Sequence, residues 1–128
     1  QKKVSDLKER VRIVNDTENA ILISIHQNTF QDDRHSGAQV FYGKEADSRE
    51  LATTLQSALI RYLNPKSKRQ CKPSDGIYLM QHINRTGVLI ECGFLTNPAE
   101  EAKLRSQDYQ QKLSCVIASV MNRYLTNT

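Results

Sequence analysis

Two short apolar runs in this chain each end in a side chain that can bind a metal or move a proton. "ILISIHQN" at 21–28 carries His26, and "VLIECGFLTNP" at 88–98 carries Glu91. Ala20 to Ile25 is rich in Ile and broken only by Ser24, the pattern of a strand covered on both faces. Val88 to Glu91 reads the same way. A fold that uses both strands must therefore find a setting for an imidazole and a carboxylate at their carboxyl ends.

The remaining elements follow from periodicity. Val4, Leu7, Val11 and Val14 fall on one face of a helix over 4–15. Ala38 to Tyr42 alternates as a strand closed by Gly43. Ser48 is placed to cap a helix striped by Leu51, Leu55, Leu59 and Leu63. The long loop "NPKSKRQCKPSDG" leads to "IYLM", read as a short strand, and to a turn at "HINRTG". Asn97, Pro98, Glu100 and Glu101 form a complete helix start. A last helix from about Ser106 turns Tyr109, Leu113, Val116, Val120 and Tyr124 inward. The order α-β-β-α-β-β-α-α predicts an α/β fold, a layered α/β/α sheet with helices on both faces. Ligands of such sheets sit outside the carboxyl ends of the strands, where His26 and Glu91 both lie.

Composition narrows the class. At 128 residues, with 38% hydrophobic and 25% charged residues, the chain is one ordinary globular domain. No apolar stretch approaches the ~18 residues that span a bilayer. Cys71, Cys92 and Cys115 are odd in number, far apart and without C-x-x-C spacing, so they read as free thiols. Cys92 alternates with Glu91 along its strand and should point into the helix layer as a packing residue. The net charge of +4 gathers in part in "PKSKRQCK" at 65–72. A solvated loop is the plainer reading of that segment, and a contact for an anionic polymer the sharper one. No nucleic-acid-binding motif accompanies it, and nucleic acid is not expected as a partner.

A lone histidine after a strand is more often structural than a ligand. Glu91 is the stronger anomaly, because a carboxylate attached to "VLI" is costly to desolvate without a partner, Arg85 being the plain candidate. Asn28 adds only polar surface. Taken together, His26 and Glu91 fit metal-assisted hydrolysis: an imidazole holds a divalent ion while an unligated carboxylate takes a proton from water.

In this order, "ISIHQN", "SGAQVFY", "ELATTLQ", "VLIECGFLTNPAEEAKL" and "YQQKL" resemble the signatures of zinc-dependent N-acetylmuramoyl-L-alanine amidases of type 3. "SGAQVFYGK" and "GIYLMQ" are most similar to the amidases that act on spore cortex in sporulating bacteria. The resemblance implies a Zn2+ ligand at His26 and a general base at Glu91. The implied reaction is hydrolysis of the amide between N-acetylmuramic acid and L-alanine of peptidoglycan, in the cell wall or spore envelope outside the cytoplasm. In the family a first histidine in a "GHGG" loop and a glutamate on the following helix complete the zinc site. Those segments are not in this sequence. Residues 1–128 thus correspond to roughly the C-terminal two-thirds of the domain, truncated at its N-terminal strand and helix and with an incomplete zinc site. Neither His35 nor His82 matches a motif position, and no substrate-binding residue is assigned. The sheet edge beside the His26 strand would then be open to a partner or a second copy. The alternative is a non-catalytic peptidoglycan-binding or assembly module.

Overall fold

Strand β4 (Thr86–Phe94) is the axis of the structure, a computed structural model that describes residues 2–28 and 34–127. It pairs in parallel with β1 (Ile21–Asn28) on one side and antiparallel with β2 (Gln39–Tyr42) on the other. A two-residue strand, β3 (Lys72–Pro73), runs parallel to β2, giving the order β1-β4-β2-β3. Around the sheet lie α1 (Lys2–Asp16), α2 (Ala46–Tyr62), α3 (Tyr78–His82), α4 (Pro98–Arg105) and α5 (Gln107–Thr126). The layered α/β architecture is the expected one.

Alternation along β4 divides the chain into two layers. Val88, Ile90 and Cys92 join Val40 and the leucines of α2, α4 and α5 in the main core, with Ile117 and Val120 closing it. The opposite face carries Gly87, Leu89 and Glu91 and meets α3 through the buried Met80 and Ile83. Gly87 allows this approach, since a Cβ there would run into the Ile83 side chain.

Two expectations are corrected. "IYLM" is helical rather than extended: α3 turns at Tyr78–His82, with Tyr78 stacked on His82 at 4.0 Å and the His82 ring held by the Tyr78 carbonyl. A four-residue apolar run does not distinguish strand from helix, and the outer edge of β2 is taken by β3 instead. Ser48 is no cap either. Glu45 holds that position, and the buried Ser48 hydroxyl accepts the Gly87 N–H at 2.9 Å, tying α2 to β4. A third difference concerns β1. It is an edge strand whose Ile25 is 57% exposed, not a strand buried on both faces.

The helix start at Asn97 forms as read, its Oδ1 accepting from Ala99 and Glu100 N–H at 3.0 and 3.3 Å. Beyond the reach of β3, side chains complete the outer edge of β2. Gln56 on α2 accepts the Val40 N–H at 2.8 Å and donates to the Ala38 carbonyl at 3.0 Å, so one amide substitutes for a missing strand. Gln56→Leu should therefore lower stability by about 1–3 kcal/mol for each buried backbone group left unpaired. Urea unfolding of the two proteins checks this, and an unchanged midpoint would mean that the ladder closes without Gln56.

Candidate active site

The parallel register of β1 and β4 places the Cα atoms of His26 and Glu91 directly opposite one another. Both side chains lie on the α3 side of the sheet, near the carboxyl ends of their strands, and a bulge follows between His26 and Asn28. The two residues read separately from the sequence are neighbours in space.

Glu91 is half-buried, and its Oε2 is fully buried with no hydrogen-bond partner among the described residues. Burial pushes its carboxyl above the usual carboxylate range, while the charge of His26 works in the opposite direction. Arg85 does not pair with it. That guanidinium lies at the other end of β4 and donates to the carbonyls of Asn15 and Thr17 at 2.8 and 3.1 Å, capping the C-terminal end of α1. The Arg85 ion pair is thereby removed as an account of Glu91.

The His26 ring is exposed, and its Nε2 lies 2.8 Å from Ser24 Oγ, two residues back on the same face of β1. In the tautomer that donates Nε2–H to the serine, Nδ1 keeps its lone pair for a cation or a proton. Ser24 was visible in the sequence as the one polar residue of its run. Its spacing of two from His26 was the available signal.

His35 and His82 stay apart from this pair. His35 stacks on Phe94 at 5.4 Å, and His82 stays on α3 against Tyr78. Among the described residues no three His, Cys, Asp or Glu side chains gather in a group able to hold a metal. An orphan carboxylate facing an oriented imidazole is the donor chemistry of a metal site's edge. It offers one nitrogen donor and one titratable carboxyl.

Gln39, Arg69 and Phe94 also line this end of the sheet, none of them singled out by sequence. Gln39 is opposite Glu91 across the β2–β4 pair, and its side chain meets Arg69 and the Gln70 carbonyl. Glu100, expected to serve the helix dipole, is only 5% exposed and accepts the Gly37 N–H at 2.6 Å. That bond fixes the segment leading into β2. Cys92 packs in the main core on the far face of β4, with its thiol pushed up to about 11 by burial and by the Glu91 charge.

The sign of the Glu91 shift has a measurable consequence. A carboxyl whose folded pKa exceeds its unfolded value ionises less readily in the folded chain, so stability falls as pH rises from about 4.5 through the folded value. In metal-free protein, Glu91→Gln should raise the thermal midpoint at pH 7, and the gain should vanish below about pH 4.5. Thermal unfolding across pH 3.5–8 checks it; a pH-independent difference would mean that Glu91 is not strained by its charge.

Known proteins share this arrangement of elements. The family model described as N-acetylmuramoyl-L-alanine amidase matches residues 1–123. The germination-specific N-acetylmuramoyl-L-alanine amidase of Bacillus subtilis (strain 168) is 41% identical over 127 residues, covering 98% of this chain and 53% of that protein. The CwlD amidase from Clostridioides difficile, solved in complex with the GerS lipoprotein, is 38% identical with a TM-score of 0.92, over 100% of this chain and 66% of that one. An N-acetylmuramoyl-L-alanine amidase from Clostridium difficile 630 is 32% identical with a TM-score of 0.82, over 94% and 65%. The chain spans about half the length of that curated relative.

Proposed function

The chain belongs to the N-acetylmuramoyl-L-alanine amidase family, and from that premise we propose that, within its whole protein, it carries the general base and one zinc ligand of a peptidoglycan amidase. The bond cut is the amide between N-acetylmuramic acid and L-alanine. The observation that carries this reading is the pairing of His26 with Glu91 across β1 and β4, with Glu91 Oε2 buried and unpartnered. Residues 1–128 then form roughly the C-terminal two-thirds of the catalytic domain. Relatives named as germination-specific and cell wall amidases support work in the cell wall or spore envelope, and no helix among the described residues is long and apolar enough to cross a membrane. The outer edge of β1, with Ile25 exposed, is where the remainder of the domain, a partner or a second copy would add a strand.

His26 would hold the metal through Nδ1, with Ser24 orienting the ring from Nε2. Zinc, when bound, polarises the scissile carbonyl and makes water a better nucleophile near neutral pH. Glu91 takes the proton from the attacking water. The same carboxyl is then placed to return that proton to the departing L-alanine nitrogen. Nitrogen leaves as an amine and the carbonyl as the lactyl carboxylate of the muramic acid, which balances the hydrolysis. Since a catalytic zinc site has three protein ligands, the other two would come from outside this chain. The isolated chain should not retain stoichiometric zinc through dialysis.

Two substitutions in the whole protein separate the roles. His26→Ala should lose both zinc and amidase activity. Glu91→Gln should keep zinc at normal stoichiometry while turnover falls by roughly two to four orders of magnitude. Metal analysis and release of peptide from muropeptides, on one preparation, are the measurements. Zinc lost together with activity in Glu91→Gln would make Glu91 a ligand, and full turnover would remove it from the mechanism.

A further inference from the structure

We propose that Arg69 reads the free carboxylate on the second residue of the stem peptide, making the wall formed by Arg69, Gln39 and Phe94 the specificity subsite beside Glu91. This rests on the amidase reading above and names which part of the substrate the chain recognises.

Three contacts hold the guanidinium at the carboxyl end of the sheet. It lies over the Phe94 ring at 4.9 Å, Nη1 donates to Gln39 Oε1 at 3.2 Å, and Nε donates to the Ser36 carbonyl at 3.0 Å. Phe94 is three residues beyond Glu91 on β4, and Gln39 is opposite Glu91 on β2. Arg69 is therefore tied to β4, which carries Glu91, and to β2 beside it, although its own backbone belongs to the 64–72 loop.

The charge of this group is the second part of the argument. Among the described residues its hydrogen-bond acceptors are neutral, an amide oxygen and a carbonyl. Glu100 acts on it only through space, because that carboxylate is engaged with the Gly37 N–H. Burial disfavours the Arg69 charge. A partly desolvated cation whose hydrogen-bond partners are neutral gains from an incoming anion. Of the five N–H donors of a guanidinium, two are engaged with described residues, leaving Nη2 and one Nη1 hydrogen to meet a ligand. A planar carboxylate fits that fork in a bidentate pair. Lys66, Lys68 and Lys72 of the same loop are exposed, and Arg69 alone is held against the site. The amide cut releases a peptide that carries free carboxylates, and such a group would enter along the wall while the scissile bond lies over Glu91.

The test uses the whole zinc-loaded protein and two glycan-linked stem peptides that differ only in whether the second residue's free carboxyl is left as the acid or converted to the amide. The wild-type protein should prefer the acid by roughly tenfold to a hundredfold in kcat/KM, the range of a charge-assisted pair. Arg69→Gln should erase the preference by raising KM for the acid alone, and Arg69→Lys should keep part of it. Thermal unfolding confirms that both variants are folded, and the ratio of the two substrates within one variant is unaffected by how much protein is active. Equal cleavage of the two peptides by the wild type, or an equal loss on both in Arg69→Gln, would overturn the assignment while leaving the amidase reading intact. No cleavage of either peptide by the wild type would overturn the amidase reading and this one with it.

Discussion

The parallel pairing of β1 with β4 is the constraint on which the rest of the site depends. A shift of one residue in that pairing would turn His26 to the opposite face, away from Glu91. The register is held from the core side: Ile23 stands against Val88 and Ile25 against Ile90, and Val88 and Ile90 are fully buried beneath α2 and α5. Packing on one face thus determines which polar groups meet on the other. Burial on that other face raises the proton affinity of Glu91.

The far side of β4 depends on a different device. β2 pairs with β4 over Gln39–Tyr42, but β3 covers only Phe41 and Tyr42 on its outer edge. Gln56, Gln39, Arg69 and Glu100 satisfy what remains, joining α2, the 64–72 loop and α4 to the segment before β2. Buried polar networks are costly when incomplete, which makes each member sensitive to substitution. Here the network also forms the wall of the site. Stability and recognition are accordingly coupled at Gln39 and Arg69 in a way that they are not at Glu91.

Much of this could be read from residues alone, because the decisive signals were local. The strands read at 20–25 and 88–91, the Asn97–Pro98 helix start and the leucine stripe of α2 follow from periodicity and capping, and the structure forms them, the strands running on to Ile21–Asn28 and Thr86–Phe94. His26 and Glu91 stood out because polar groups at the ends of apolar runs are expensive. What stayed hidden was non-local. "IYLM" has no pattern that separates a strand from one helical turn, and only the occupied edge of β2 decides it. Arg69 sits in a basic stretch that reads as solvated loop, and nothing nearby in sequence predicts Phe94 beneath it. Arg85 looked like a counter-ion for Glu91 until the length of β4 put the two at opposite ends.

Adjacent residues of β4 show how a strand can keep chemistry and packing apart. Glu91 and Cys92 are consecutive, yet alternation sends one toward the site and the other into the main core. The same Glu91 charge that a substrate water would meet also helps to hold the Cys92 thiol protonated, together with burial, near 11. Buried in the main core on the face opposite Glu91, that sulfur is a packing atom. Gly93 follows, where a Cβ would lie 3.1 Å from the Glu100 carboxylate, so the chain narrows just where α4 crosses it. Three successive positions therefore supply the proposed base, a core contact and room for a helix.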